Sequence, residues 1–323
     1  MYSWGSADTD GWAKGGYSYD SAKKDYMDDL KGDSDAKGGR AYLHRSEPGA
    51  DATPKKNIQT DSKNAIVIGI DVTGSMSDWP GEIFDRLPLL YQTLSQYRPD
   101  VEISFAAIGD ATSDRYPLQV TDFTKGVELE DKVNSLYGEG GGGGGLHESY
   151  ELFGHYMLNH ADVGKATSPF LLIFGDEKHY QTIDPKQVEY YMGETLQDEI
   201  KSKDMWQKLG QKFNVFYLQK PYGGYGRDST TQEVKEQWSD ALGHQKVIDL
   251  PDKTRAVDVA MAIIARHWGM YDDFKDNIGA RHDASVIDKV EHSVRFIPKD
   301  VDGVATGSKL LGEGGGEASK PLI

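Results

Sequence analysis

Apolar residues in this chain come in short unbroken runs, separated by stretches in which they recur with helical spacing. Residues 65–70 (AIVIGI), 101–108 (VEISFAAI) and 169–174 (PFLLIF) are apolar on both faces, the pattern of strands buried within a parallel sheet. Residues 214–218 (NVFYL) and 247–250 (VIDL) repeat it more briefly, and 118–123 alternates as an edge strand would. Between these runs lie helical stripes: Ile83, Leu87, Leu90 and Leu94 after Trp79-Pro80-Gly81; Val127, Val133 and Leu136; and Leu152, Phe153, Tyr156 and Met157. Asp184-Pro185 reads as a cap followed by a proline at the first helical position, which predicts a helix over 185–192. Further helices are predicted over 203–212, over 231–242 with Val234, Trp238 and Leu242 inward, and over 254–268 with Val257, Met261, Ile264 and Trp268 inward. Pro88 falls inside the first stripe and is expected to kink or divide that helix. Strands alternating with helices predict an α/β fold, with a Rossmann-like open, mostly parallel central sheet, helices on both faces and right-handed crossovers.

The pattern is confined to the middle of the chain. Residues 1–60 are rich in Gly, Ser, Asp, Lys and Tyr with little apolar periodicity, and read as a flexible N-terminal arm. The patterned domain is expected over 63–275. Residues 276–323, which contain GEGGG at 312–316, read as a largely flexible C-terminal extension. A net charge of -16 argues against nucleic acid as a main partner. The absence of cysteine excludes disulfides and thiolate metal sites. No stretch is apolar enough to span a bilayer and the first residues carry no secretory h-region, so a soluble, cytoplasmic protein is expected.

Candidate chemistry sits where the first apolar run stops. Asp71, Thr73 and Ser75 follow it at intervals of two, with Gly74 between them. In open α/β sheets ligands bind just beyond the carboxyl ends of the strands. One carboxylate and two hydroxyls on a tight turn suit a hard cation such as Mg²⁺, with Mn²⁺ or Ca²⁺ as alternatives.

The segment Asp71-Val72-Thr73-Gly74-Ser75-Met76 resembles the Asp-x-Ser/Thr-x-Ser start of the metal-ion-dependent adhesion site (MIDAS) of von Willebrand factor A (VWA) domains. The resemblance extends over roughly residues 63–270. It implies two later ligand loops. The first is GGGGGGLHES at 140–149, where Glu148 takes the acidic position, although the family's threonine and the usual Asp are absent. The second is Ile173-Phe174-Gly175-Asp176-Glu177, where Asp176 matches the family's aspartate and Glu177 replaces its glycine. The implied metal ligands are therefore Asp71, Thr73, Ser75, Glu148 and Asp176. Asp78, Asp110, His147 and Glu177 would support them or line the rim, and Asp78 stands where integrin β-type domains hold a second cation. The segment Gly109-Asp110-x-x-x-Asp114-Arg115-x-Pro117-Leu118-Gln119 is similar to one in a group of bacterial and phage VWA proteins.

What the resemblance implies is a non-enzymatic interaction module. A partner protein would offer an Asp or Glu to the cation, and an AAA+ ATPase or a multiprotein assembly would be such a partner. Two other readings stand beside it. In one, Asp71 is the nucleophile of a Mg²⁺-dependent phosphatase-like enzyme. In the other, the site is degenerate and the chain is a metal-free scaffold. The glycine run over 138–145 lacks the Gly-Lys-Ser/Thr end of a P-loop, so it is expected to give backbone freedom rather than to hold a nucleotide. His155 and His160, five residues apart, fall off a common helix face, and no zinc spacing is visible among the nine histidines.

Overall fold

A computed structural model describes residues 45–299 apart from 77, 141–144 and 223–227. The expectations for residues 1–44, for 300–323 and for most of the glycine run lie outside the described residues.

The fold is mixed α/β around a six-stranded sheet. Its strands are β1 (Ala65–Asp71), β2 (Glu102–Ile108), β3 (Leu118–Val120), β4 (Phe170–Gly175), β5 (Asn214–Gln219) and β6 (Val247–Asp249). They lie in the order β6-β5-β4-β1-β2-β3. Every pairing is parallel except β2 with β3, which is antiparallel, so the alternating 118–120 segment is an edge strand. The helices are α1 (Trp79–Tyr97), α2 (Glu128–Ser135), α3 (Tyr150–Asn159), α4 (Pro185–Met192), α5 (Ser202–Lys212), α6 (Asp228–Leu242), α7 (Ala256–His267), α8 (Tyr271–Gly279) and α9 (Ala284–Val294). None among the described residues is long and apolar enough to cross a membrane.

Strand periodicity divides the core into two layers. Ile66, Ile68 and Ile70 of β1 point to one face with Phe105, Leu172 and Phe174, and are covered by α1 and α7. Ala65 and Val67 point to the other with Ile108, Leu171 and Ile173, and are covered by α3, α5 and α6. Both faces are dry, which explains why these strands read as continuous apolar runs rather than alternating ones.

Of the two outcomes expected at Pro88 one is removed, and one further segment differs from expectation. Helix α1 runs through Pro88 without dividing. A proline inside a helix costs roughly 3 kcal/mol, and here Pro88 is buried on a face carried by Phe84, Leu87, Leu90 and Leu94, whose burial offsets that cost. Residues 271–297, assigned mostly to the C-terminal extension on sequence, form α8 and α9. They place Phe274, Ile278, Val290, Val294 and Ile297 in the same core as β1 and α7. Their apolar positions are few and widely spaced, so the stripe is faint in sequence. On the N-terminal side, Ile58 is buried and Ile58–Gln59 pairs in parallel with Ala161–Asp162.

The strand order reverses between β1 and β4. Chain progression runs outward from β1 to β2 and β3, then returns to the other side of β1 for β4, β5 and β6. At such a switch point the two outgoing loops diverge and leave a crevice beyond the carboxyl ends of the strands. Asp71 ends β1 and Asp176 follows β4, so both carboxylates lie at that crevice.

Candidate metal centre

Asp71 is fully buried at the last position of β1. Its Oδ1 accepts the Thr73 backbone N–H at 2.9 Å and the Thr73 hydroxyl at 2.6 Å, and its Oδ2 accepts the Tyr150 hydroxyl at 2.5 Å. Thr73 Oγ1 lies 3.3 Å from Ser75 Oγ, and Ser75 Oγ donates to Asp176 Oδ1 at 2.9 Å. The turn of three-residue helix at Gly74–Met76 brings the two hydroxyls to the same side as the carboxylate. Asp71, Thr73, Ser75 and Asp176 thus form one continuous oxygen cluster.

Glu148 joins it from a separate loop. Residues His147–Glu148 pair in parallel with Lys178–His179, which ties the Glu148 loop to the loop after β4. Glu148 is buried, and its Oε2 has no hydrogen-bond partner. Glu177, also buried, lies against Ser75 and Glu148. The resemblance gave Glu177 a supporting or rim position, and the structure places it buried against Ser75 and Glu148.

Four buried carboxyl groups in one crevice strain each other's ionisation. Burial, then the charge of Asp176, pushes Asp71 up to about 7. Burial, then Asp71, pushes Glu177 up to about 8. Burial, then Asp71 and Glu177, pushes Glu148 up to about 11. Burial lifts Asp176 as well, with Lys220 pulling the other way.

The remaining expected residues fall outside the cluster. Asp78 is exposed at the start of α1, makes no side-chain capping bond and pairs with Lys253, whose hydrogen bond holds its carboxyl below the usual range. Asp110, at the end of β2, turns back on its own loop. It accepts from the Thr112 N–H at 2.9 Å, the Thr112 hydroxyl at 2.6 Å and the Tyr180 hydroxyl at 3.1 Å. His147 stacks on the Tyr180 ring, with centroids 5.2 Å apart. His179 is buried against Trp238, its Nδ1 bonded to Tyr180 O, and burial pushes it down to about 4.

Two participants were not anticipated. Tyr150 opens α3 and donates to Asp71 from beneath; Gly175 makes room for it, because a Cβ there would overlap the Tyr150 hydroxyl. Gly175→Ala is accordingly expected to cost about 1–3 kcal/mol through overpacking, read by denaturant unfolding. A cost near zero would mean that Tyr150 is not held where it lies. The other is Lys220, which follows β5 as Asp71 ends β1 and Asp176 follows β4. Its ammonium donates to Asp176 Oδ2 at 2.6 Å and to Ser75 O at 2.9 Å. The signal was present in sequence, since Lys220 closely follows the NVFYL run, but nothing local said which carboxylate it would meet.

No protein-family model and no curated protein matches this chain. Among solved structures, a pilus adhesin, SpaC from Lactobacillus rhamnosus GG, in its open conformation, aligns at 11% identity and a TM-score of 0.45, over 68% of this chain and 31% of SpaC. A point mutant of the PilB minor pilin from Streptococcus sanguinis aligns at 11% identity and a TM-score of 0.36, over 64% of this chain and 61% of PilB. The chain thus spans under a third of SpaC's length. These alignments carry no argument about activity.

The assignment to the VWA family is corrected, since no family model matches this chain. With it go the MIDAS label and the interaction module that takes an acidic residue from a partner. The geometry departs from the family's pattern at the same place: Glu177, where the family has glycine, is a buried carboxyl group against Ser75 and Glu148. The two companion readings also lack support. A metal-free scaffold leaves the buried, unpartnered Glu148 Oε2 without explanation.

Proposed function

We propose that this protein binds a divalent cation at the switch-point crevice, and that the cation locks the loops that follow β1 and β4 to the segment leading into α3. Glu148 Oε2, buried and unpartnered among Asp71, Asp176 and Glu177, is the observation that carries the reading. A buried acid oxygen without a partner is costly, and Lys220, which reaches Asp176 and Ser75, leaves Glu148 without a cation of its own. The donors are all oxygens, from carboxylates and hydroxyls, which suits Mg²⁺ or Mn²⁺, with Ca²⁺ as the larger alternative. Asp71, Thr73, Ser75, Glu148, Asp176 and Glu177 would hold the ion. When bound, it supplies the positive charge that lets these carboxyl groups ionise together.

The role is structural rather than catalytic in this reading. Asp71 is occupied by Thr73 and Tyr150, and His179 is sealed against Trp238, so the crevice offers no free nucleophile paired with a base. The charge of -16 supports a partner other than nucleic acid.

Calorimetric titration of Mg²⁺ and Mn²⁺ into the wild type and Asp71→Asn tests the reading. Asparagine keeps the shape of the side chain and removes the charge. Affinity is expected to fall by more than about a hundredfold, beyond what losing an outer partner of a ligand costs, with an unchanged circular dichroism spectrum. Equal affinity in the two proteins would remove the site assignment.

A further inference from the structure

We propose that His155, His160 and Glu194 form a second metal site, of the zinc type, independent of the crevice. The two histidines come from the middle of α3 and from the residue that caps it, and Glu194 comes from the loop after α4. Their ligand atoms all lie within 4.8 Å of one another. Both imidazoles address one oxygen: His155 Nε2 is 3.0 Å and His160 Nε2 is 2.9 Å from Glu194 Oε2. The edge of a tetrahedron around a cation with bonds of 2.0–2.1 Å is about 3.3 Å, so small shifts convert this arrangement into three corners of a coordination sphere.

The spacing of five residues hid the site in sequence. His160 caps α3: its N–H still donates to Tyr156 O at 2.7 Å, and with φ −115° and ψ −2° it hands the chain on to residues 161–162. Three anchors fix that turn. Lys212 Nζ donates to the carbonyls of Met157, Leu158 and Ala161, Ile58 N–H donates to His160 O, and the His160 ring stacks on Tyr156 at 5.3 Å. Glu194 is aimed by Gly193, whose φ of +75° ends α4 in the left-handed conformation that glycine adopts without strain.

The surroundings of His160 match those of a metal-binding imidazole, whereas the Asn159 amide nitrogen, 3.2 Å from His155 Nδ1, must turn its oxygen to that atom for His155 to present Nε2 in the same way. His160 Nδ1 lies 2.8 Å from Asn57 Oδ1, an oxygen that can only accept, so Nδ1 carries the proton and a neutral ring presents its Nε2 lone pair to the metal. His155 is almost fully buried, whereas the side chains of His160 and Glu194 are 18% and 30% exposed. The cluster is therefore rigid on one side and open to water on the other, as in zinc sites with three protein ligands and one exchangeable position. Two nitrogens and a carboxylate favour a zinc-type ion over Mg²⁺ or Ca²⁺, which sets this donor group apart from the all-oxygen crevice. Along the axis of α3, His155 lies about 7.5 Å and His160 about 15 Å from Tyr150 at the crevice end.

The experiment uses the full chain, free of any purification tag and stripped with a chelator, titrated with Co²⁺ and followed by visible d–d absorption. One equivalent is expected to give an intense low-coordinate band that Zn²⁺ abolishes. His160→Gln and Glu194→Gln, both at the solvent edge and so tolerated by the fold, are expected to weaken Co²⁺ binding by more than about tenfold each, the scale of losing a ligand's support. Asp71→Asn is expected to keep the band, which separates this site from the crevice. Absence of any band, or a band undiminished in both variants, would overturn the proposal whatever the Mg²⁺ titration shows.

Discussion

Lys220→Met is expected to destabilise the metal-free protein by about 3–5 kcal/mol, the usual cost of removing one partner from a buried ion pair. For a chain of this size that corresponds to a fall in Tm of roughly 6–15 °C. The ammonium is 2.6 Å from Asp176 Oδ2 and Lys220 is largely buried, so its loss leaves a carboxylate without its nearest compensating charge. Lys220 stands in the metal-free crevice as an internal cation that satisfies one of the groups a divalent ion would bind. Linkage then fixes the second half of the result. A variant whose metal-free state is destabilised more than its bound state binds the ion more tightly. Thermal unfolding in a chelator and in excess Mg²⁺, for wild type and variant, measures both halves. A large Tm deficit in chelator that narrows in Mg²⁺ is expected. An equal deficit in both conditions would mean that Lys220 supports the fold without competing for the cation's place.

The second large effect concerns pH. Asp71 is pushed up to about 7 and Glu177 to about 8, and Glu151, buried beneath the crevice and accepting the Tyr180 N–H, rises to about 8 through burial. Each is a carboxyl group whose pKa in the folded protein exceeds that in the unfolded chain. Such a group contributes stability that is fully present below its unfolded pKa and is lost as pH rises through the folded value. The metal-free protein is therefore expected to lose stability progressively from about pH 4, where these groups ionise in the unfolded chain, to about pH 8, and further above it through Glu148, which is raised to about 11. A bound cation favours the ionised forms, so saturating Mg²⁺ should flatten the profile, and binding should release protons and weaken toward acid pH. Denaturant unfolding at fixed temperature across this range, with and without Mg²⁺, supplies the check. Coincident profiles would show that the carboxyl groups and the cation are not linked.

Much of the architecture was legible in the sequence because its signals are local. The runs at 65–70, 101–108 and 169–174 are apolar on both faces, which forces them into a sheet covered on both sides, and the helical stripes between them supply the covers. Asp71, Thr73 and Ser75 were legible because a polar triplet after such a run falls at the carboxyl edge of the sheet. The family reading drawn from that same triplet did not survive, since a six-residue motif constrains a turn and not a lineage.

What the tertiary structure alone decided is which distant groups meet. Residue order cannot say that Tyr150 donates to Asp71 across the gap left by Gly175, or that Lys220 reaches Asp176. It cannot say that Glu177 turns inward instead of lining the rim. Each of these is set by the strand order at the switch point. His155 and His160 likewise meet only through Glu194, which the loop after α4 brings between their rings. Local periodicity determined the layers of this protein, because burial acts residue by residue along each element. Long-range packing determined its chemistry, because charge and hydrogen bonding act between whatever side chains the fold brings within a few ångströms.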